Sequence, residues 1–474
     1  MIFVLVVLKD KFFMRYNIKL KSATLFLIVI FLTTTAFGCK NSVSTEEASK
    51  IQPITLNYWR VWDGSDAFGD IIAAYNASHP NITIKYKKLR YEEYERELVD
   101  AFAENRGPDI FSINAGWAKR YKNKISPLPA EITMAYSVVK GTIKKEETVE
   151  LVTSPTVTLG ELRDNFVPVV YNNAVIDDQI YGLPLSVDTL ALFYNRDLLN
   201  NAGITEIPKY WNDSFLQNVK QLTKKNEQGD IVQAGTALGT GENIERYSDI
   251  LSLLMMQNGA EMIDLQGRVS FHRKPTGSTS DYAPGMEALL FYTDFANPVK
   301  DIYTWNSDMP NSLQSFIDGS TAFFFGYSYH IADIKARAPR LNFGVSDMLQ
   351  IEDSKVNTNF ANFWLETVSA QSAYKDEAWD FVQFAANAEN VTSYLTKAKK
   401  PTALKALIND QLGKEDFKVF AGQLLTAKTW YSGNDYNAAE VIIGDMIEQT
   451  LIDPKQVARL MQTAASKIQQ TVSN

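Results

Sequence analysis

Hydrophobic and polar residues alternate with two different periods near the start of the folded body. Residues 54–59 and 82–86 alternate with a period of two, which is typical of half-buried strands. Residues 67–78 and 91–105 place apolar side chains at helical spacing, which predicts two amphipathic helices. A short, mostly buried strand follows at 110–113. This order of strands and helices predicts an α/β fold built on a parallel, doubly wound sheet with right-handed crossovers.

The ends of the predicted strands carry aromatic and polar side chains. The strand at 110–113 runs into Asn114 and then Trp117, and the first strand runs into Trp62 and Asp63. Sheets of this class bind ligands in the crevice beyond the carboxyl ends of their strands. We therefore expect these strand ends to line a binding site.

Aromatic rings recur beside predicted strand ends along the whole chain. Flat rings stack on the C–H faces of sugars, and Asp, Asn, Glu and Arg side chains hydrogen-bond to sugar hydroxyls, so the combination predicts a carbohydrate site. The candidate ligand-binding residues are Trp59, Trp62, Asp63, Asn114, Trp117, Asp188, Tyr327, Tyr329, Asn362, Trp364 and Trp430. For each ring the alternative is a place in the core with one polar partner. For Asp188 the alternative is a turn or a helix cap.

Composition limits the classes of function. The chain has 474 residues, 45% of them hydrophobic, which is enough for more than one lobe because single cores stop growing beyond ~250–300 residues. Removal of residues 1–38 takes away five Lys or Arg and one Asp from totals of 47 basic and 55 acidic residues, which leaves 42 and 54 and a net charge of −12. This charge argues against nucleic-acid binding. A single cysteine excludes a disulfide framework and a multi-cysteine zinc site.

The first residues have the features of a secretory signal. Lys19 and Lys21 precede an uncharged run that is apolar in its centre and ends at Cys39. The run closes with Ala-Phe-Gly-Cys, which resembles the bacterial lipobox, in which the cysteine is lipidated and becomes the mature N-terminus. The only cysteine of the chain stands at that position.

We therefore expect a lipoprotein signal peptide at 1–38, lipidation of Cys39, and a flexible polar tether at 39–52. The alternative is a transmembrane anchor with an incidental cysteine. Both interpretations place the body on the extracytoplasmic side of the cell membrane. Met14 opens a more ordinary basic region than Met1, so we predict that translation starts at Met14.

Several short motifs, taken in order, resemble one family: the extracellular solute-binding proteins of ABC importers, which include sugar-binding lipoproteins and maltose-binding protein. The resemblance spans about residues 54–470, and each motif is weak alone. The motifs are Tyr58-Trp59-Arg60-Val61-Trp62, Tyr75-Asn76-Ala77-Ser78-His79-Pro80, Gly107-Pro108-Asp109-Ile110, Tyr181-Gly182-Leu183-Pro184, Leu192-Phe193-Tyr194-Asn195-Arg196-Asp197, Pro208-Lys209-Tyr210-Trp211, Ala378-Trp379-Asp380-Phe381 and Lys400-Pro401-Thr402.

The resemblance implies a type II periplasmic-binding-protein fold, with two α/β lobes joined by a hinge, each lobe a doubly wound sheet flanked by helices. The first lobe would hold residues 53–168 and 300–358, and the second 169–299 and 359–474. The sequence departs from the family pattern at 131–165, where extra polar and charged residues indicate an inserted hairpin or loop.

The family implies capture of a sugar or oligosaccharide between the lobes, delivery to the transmembrane permease of an ABC importer, and no catalysis, cofactor or metal. Two alternatives stay open: a secreted glycan-active enzyme, and a binding protein for a peptide, a polyamine or a metal. Tyr327, Tyr329 and His330 form the one candidate set of iron ligands. A hydrolytic triad lacks an identifiable Ser or Cys nucleophile.

Overall fold

The computed structural model describes residues 52–140, 146–275, 277 and 283–472. The strands are β1 (Ile54–Val61), β2 (Ile82–Leu89), β3 (Ile110–Asn114), β4 (Ile125–Ser126), β5 (Glu131–Lys140), β6 (Glu146–Pro155), β7 (Val175–Ile176), β8 (Gln179–Ile180), β9 (Val187–Thr189), β10 (Ala191–Asn195), β11 (Lys224–Lys225), β12 (Ile231–Thr236), β13 (Thr321–Gly326), β14 (Phe343–Ser346), β15 (Asn359–Ser369) and β16 (Ala427–Lys428). The predicted signal peptide, the lipidation site Cys39 and the alternative start Met14 lie outside the described residues.

Helices connect and cover these strands. The α-helices are α1 (Ser65–Ser78), α2 (Tyr91–Ala103), α3 (Ala118–Tyr121), α4 (Leu159–Asn165), α5 (Pro168–Ala174), α6 (Arg196–Asn201), α7 (Asp213–Leu222), α8 (Tyr247–Gln257), α9 (Pro284–Asp294), α10 (Ser312–Ile317), α11 (Tyr329–Arg337), α12 (Lys375–Ala386), α13 (Ala388–Ala398), α14 (Ile408–Leu412), α15 (Lys418–Gln423), α16 (Tyr436–Ile452) and α17 (Val457–Val472). Within the described ranges, no helix is both long enough and apolar enough to cross a lipid bilayer.

The first sheet has the strand order β16-β15-β3-β1-β2, and β4 and β9 also pair with β15. Strands β1, β2 and β3 are parallel, as the strand–helix alternation predicts. Strand β15 comes from much later in the chain and is antiparallel to β3, with Trp364 opposite Asn114. Helices α1, α12 and α13 pack on this sheet. Their buried rings, such as Phe68 and Phe381, make edge contacts with Tyr58.

The second sheet has the order β11-β12-β13-β10-β14. Its core is aromatic: Phe323 and Phe325 of β13 are almost fully buried, and Phe215 of α7 packs against Phe323. Helix α7 begins where the Asn212 side chain accepts a hydrogen bond from the Phe215 amide, a standard N-cap arrangement. Helices α8, α9, α16 and α17 belong to this core.

The strand pairing corrects the predicted division of the chain. The family resemblance implied that 300–358 belongs to the first lobe, yet β13 and β14 pair with β10 and β12 in the second sheet. The resemblance also implied that 359–474 belongs to the second lobe, yet β15 pairs with β3. The error has a physical cause, since an apolar run shows that a strand is buried but not which sheet it joins. The chain passes between the sheets at residue 190, at 347–358 and at 429–435.

The departure from the family pattern at 131–165 is a hairpin-like insertion. Strands β5 and β6 form a two-stranded sheet of their own. Helix α4 follows and begins with a capping box, in which Thr158 and Glu161 hydrogen-bond to each other's backbone amides.

Candidate ligand-binding site

Four aromatic rings pack together at the carboxyl ends of β1 and β3; three of them are at least partly exposed, whereas Trp117, a predicted ligand-binding residue, is buried at 3% exposure. We call Trp62, Tyr91, Trp117 and Trp364 the aromatic wall. The Trp62 ring stacks on Tyr91 with 5.0 Å between centroids and 22° between planes. The Trp364 ring meets Trp117 edge-on at 5.4 Å and Trp62 edge-on at 6.4 Å. Trp62 is 51% exposed, so a large part of its ring is free to contact a ligand.

The register of β15 against β3 explains why two polar side chains, Asn114 and Asn362, meet beside these rings. Side chains two residues apart point to the same face of a strand. Pairing of Trp364 with Asn114 therefore puts Asn362 on the face that also carries Asn114. The Asn114 Nδ2 donates to Asn362 Oδ1 over 3.2 Å, and Asn114 Oδ1 accepts from the Gly116 amide, which turns the chain toward Trp117.

A buried polar network lies next to the aromatic wall, and its Glu366 is two residues from Trp364 on β15. We call it the buried polar network; it comprises Arg60, Asp63, Glu366, Tyr394 and Lys400. The Arg60 guanidinium is 3.0 Å from a Glu366 oxygen and 3.1 Å from an Asp63 oxygen. Asp63 also accepts from Tyr394 at 3.0 Å and pairs with Lys400 at 2.8 Å. Burial alone would raise the pKa of Asp63, but Arg60 and Lys400 outweigh that effect and hold the pKa below its usual value.

A second charged group, which we call the Arg246 cluster, comprises Arg246, Asp249, Tyr436 and Glu440 on α8 and α16. Arg246 donates to both Asp249 oxygens at 2.8 and 3.1 Å, to Tyr436 at 3.1 Å and to Glu440 at 2.9 Å. Its backbone is left-handed, with φ 58°, at the residue that precedes α8. Burial raises the pKa of Glu440, and Arg246 offsets only part of that rise. The cluster holds one cation against two carboxylates.

The Arg246 cluster lies close to the first sheet. A Cβ atom added at Gly116 would lie 2.8 Å from the Tyr436 ring. The pKa of Tyr91 is raised by burial and then by the nearby Glu440 carboxylate. The aromatic wall and the Arg246 cluster therefore stand on opposite sides of one cleft.

The base of this cleft contains a pocket of about 340 Å³, counting space open to solvent. It is lined by Asn114 and Asn362 from the first sheet, by Tyr436 from α16, and by Trp430 from the crossing at 429–435. Its narrow part has room for about one water molecule in this conformation. This pocket is therefore too narrow for a sugar in this conformation.

Asp188 lies beside a crossing between the sheets. Strand β9 places it opposite Asn362 in β15. Its carboxylate accepts from the Ser328 amide at 3.0 Å and from the Ser328 hydroxyl at 2.7 Å, which links β9 to the segment after β13. Burial outweighs these hydrogen bonds and raises the pKa of Asp188 to about 6.

The structure brings most of the predicted site residues together but separates three of them. Asp63 is buried, and its carboxylate is taken up by the buried polar network. Tyr327 is fully buried and donates to Asp249 at 2.6 Å, whereas the neighbouring Tyr329 is 45% exposed. Trp59 alternates to the other face of β1, where Lys87 lies 4.3 Å from its ring centroid. These three side chains do not face the cleft.

Four cleft residues were missed by sequence reasoning: Tyr91, Arg246, Tyr436 and Glu440. One signal existed for Arg246, because a cation directly before an apolar helix and three residues ahead of Asp249 is costly to leave unpaired. Nothing in the sequence pairs residue 246 with residue 440, since these two residues are 194 positions apart.

The part of the chain that the structure describes was predicted to hold one candidate set of iron ligands, Tyr327, Tyr329 and His330. Among the described residues, no group of three His, Cys, Asp or Glu is placed to hold a metal ion. His330 accepts a hydrogen bond from the Tyr327 amide, and burial lowers the pKa of His330 to about 3. The Nδ1 atom of His330 is therefore occupied by this hydrogen bond.

Known proteins share this fold. The chain is similar to the galactooligosaccharide-binding protein of Bacillus subtilis (strain 168), with 22% identity over 398 residues, 82% of each chain. Its structure resembles the cyclic α-maltosyl-1,6-maltose binding protein of Arthrobacter globiformis, with TM-score 0.69 and 18% identity over 89% of this chain and all (100%) of that one. It also resembles an ABC substrate-binding protein from Listeria monocytogenes in complex with cycloalternan, with TM-score 0.66 and 14% identity over 89% and 99% of the two chains.

At these identities the solved structures establish the type II two-lobe fold alone. Residues 62–392 match the model of one family, described as bacterial extracellular solute-binding protein. That match covers well over half of the 474 residues. The chain therefore belongs to the bacterial extracellular solute-binding protein family.

Proposed function

We propose that the protein captures a sugar or oligosaccharide between the aromatic wall and the Arg246 cluster. The observation that carries this proposal is the pairing of stacked, partly exposed rings on one side of a cleft with a dense set of hydrogen-bonding groups on the other. Sugars need both, because their C–H faces stack on rings and their hydroxyls donate and accept hydrogen bonds.

The charges of the cleft favour a neutral glycan. Arg246 is already compensated by Asp249 and Glu440, and Asp188 lies nearby. An acidic glycan would bring another anion to a site with no surplus cation, which costs affinity. The relatives are named for galactooligosaccharide, arabinooligosaccharide and maltodextrin, and these names support the same class of ligand here.

Binding would proceed by hinge bending. The pocket at the base of the cleft is too narrow for a sugar in this conformation, which supports a motion of the second sheet away from the first at the three crossings. A ligand that touches both sides only when they approach favours the closed state by its extra contacts there. The closed form would then dock on an ABC permease, and no bond of the ligand would be broken.

Isothermal calorimetry of residues 41–474 against maltotetraose, cycloalternan, galactooligosaccharides, oligogalacturonate and spermidine tests this function. We expect saturable binding of at least one neutral glycan, at least tenfold weaker binding of oligogalacturonate, and unchanged ligand by chromatography after long incubation. Release of shorter sugars would identify a glycan-active enzyme instead. Binding of spermidine alone would identify a polyamine carrier.

We infer further that Cys39 carries the lipid that holds the protein at the extracytoplasmic face of the membrane. The lipobox-like ending and the lone cysteine support this anchor. Replacement of Cys39 by Ala in the full-length chain should move the protein from the membrane pellet to the soluble fraction. The measurement is immunoblotting of fractionated cells that express either form. Retention of the variant in the pellet, together with an unprocessed precursor mass, would contradict lipidation and favour a transmembrane anchor.

A further inference from the structure

Trp62, the most exposed ring of the aromatic wall, has an unfavourable backbone. Its φ is 68°, in the left-handed region that non-glycine residues rarely occupy. Bulky side chains are disfavoured there because Cβ approaches the carbonyl oxygen. Such a conformation persists only where the surroundings determine it. The Trp62 ring contacts Tyr91 and Trp364, but the residue is still 51% exposed, so packing of the ring alone does not account for its backbone.

The next residue, Asp63, is held from several directions. Its amide donates to the Val61 carbonyl at 2.8 Å, and its own carbonyl accepts from Tyr86 of β2 at 2.7 Å. Its carboxylate accepts from Tyr394 of α13 and pairs with Arg60 and Lys400. Both main-chain groups and both carboxylate oxygens of Asp63 are therefore engaged.

The partners of Asp63 come from several separate segments of the chain. They come from β1, β2, α13 and Lys400, two residues past α13, so they surround Asp63 rather than continue one strand. Arg60 in turn is tied to Glu366 of β15, the strand that carries Trp364. The same network thus connects the loop that holds Trp62 with the strand that holds its edge-on partner.

We propose that Asp63 is a positioning residue, whose buried carboxylate fixes the left-handed backbone of Trp62 and so presents the Trp62 ring to the ligand. The ligand in this inference is that of the proposed function, on which the inference rests, but the first test needs no ligand. Asp63 makes no ligand contact of its own in this scheme. Its charge acts through Lys400 and Arg60, and the ring contacts the sugar.

The first test follows Trp62 without any ligand. The eight tryptophans are labelled with 5-fluorotryptophan, and the Trp62 fluorine resonance is assigned by its loss in Trp62→Phe. We expect Asp63→Asn and Lys400→Gln each to shift or split the Trp62 resonance while the resonances of buried Trp305 and Trp379 stay in place. An unmoved Trp62 resonance in both variants overturns the proposal. If Asp63→Asn fails to fold, Lys400→Gln alone decides.

The chain offers a matched control, an Asp–Lys pair between α1 and α13. Asp70 of α1 pairs with Lys397 of α13 at 2.7 Å and accepts from Ser393, but its side chain is 60% exposed and its partners differ from those of Asp63. The control variants Asp70→Asn and Lys397→Gln each remove this Asp–Lys pair between α1 and α13. Both controls should leave the Trp62 resonance unchanged, and a shift of equal size would mean that any loosening of α13 moves the ring.

The second test is a double-mutant cycle with maltotetraose, measured by calorimetry. Asp63→Asn should weaken binding about tenfold when Trp62 is present and less than twofold when Trp62 is Ala, because the carboxylate then has no ring to position. Equal losses in both backgrounds would assign Asp63 a general structural role and overturn the proposal. If no glycan of the panel binds, the proposed function fails, and the fluorine spectra alone decide the positioning role.

Discussion

Replacement of Trp62 by Ala is expected to weaken glycan binding by about 1–3 kcal/mol, or about 5- to 150-fold in Kd. The ring is 51% exposed and already stacked on Tyr91, so one face is prepared and the other is free. A preorganised ring loses little entropy when a sugar stacks on it. The loss should be largest for ligands with more than one sugar unit. Calorimetry against the glycans that bind the wild-type protein gives the value directly.

The matched control is Tyr374→Ala. Tyr374 is 38% exposed, and its neighbour Ser372 bonds to Asp109 at the start of β3, the end of the sheet opposite the cleft. This variant should bind every glycan as the wild type does. Wild-type affinity in Trp62→Ala, with Tyr374→Ala also unchanged, would remove the aromatic wall from the site.

Replacement of Arg60 by Met is expected to lower the free energy of unfolding by about 3–5 kcal/mol. Arg60 is 4% exposed, and its guanidinium pairs with Glu366 and Asp63, both nearly inaccessible to water. The Met side chain fills similar volume but leaves Glu366 as a buried carboxylate without its cation. Urea unfolding monitored by circular dichroism measures the change.

Two further variants separate charge from packing. Arg90→Met removes an arginine whose pair with Glu93 is exposed, so it should leave the unfolding midpoint nearly unchanged. Adding Glu366→Gln to Arg60→Met should restore part of the lost stability, because the unpaired charge is then absent. A double variant that is as unstable as the sum of the two single variants would contradict a charge-based origin and indicate lost packing.

The alternation of strands and helices was sufficient to predict the α/β class and the parallel start of the first sheet. Periods of two and of 3.6 residues are local properties, and β1, α1, β2, α2 and β3 all follow them. The type II two-lobe fold came from the family resemblance. The division of the chain between the lobes, which the resemblance implied, was wrong, because the buried strands β13 and β15 pair with β10 and β3, more than a hundred residues away.

Only part of the candidate site could be predicted from the sequence. Trp62, Trp117 and Trp364 follow from rings placed at strand ends, which is a local pattern. Arg246 is positioned by a left-handed backbone and by contacts with α16, and a local hydrophobic pattern predicts neither feature.

The placement of Asp63 and Tyr327 shows a second limit. Each stands at a strand end, as a ligand-binding residue would, yet each is buried by partners from distant segments. A polar residue beside a predicted cleft can serve the ligand or serve the residues that hold the cleft in shape. Only the tertiary contacts distinguish the two roles.

The pairing of strand β15 determines which side chains of the cleft stay fixed in the proposed hinge motion and which move. Its first half pairs with β9 and β16 and its second half with β3 and β4, so Asn362 and Trp364 are part of one continuous strip with the first sheet. In the proposed hinge motion these side chains stay fixed with Trp117 while the Arg246 cluster moves. Substitutions in the aromatic wall should therefore change how often an encounter is productive, whereas substitutions in the Arg246 cluster should change the residence time of the captured ligand.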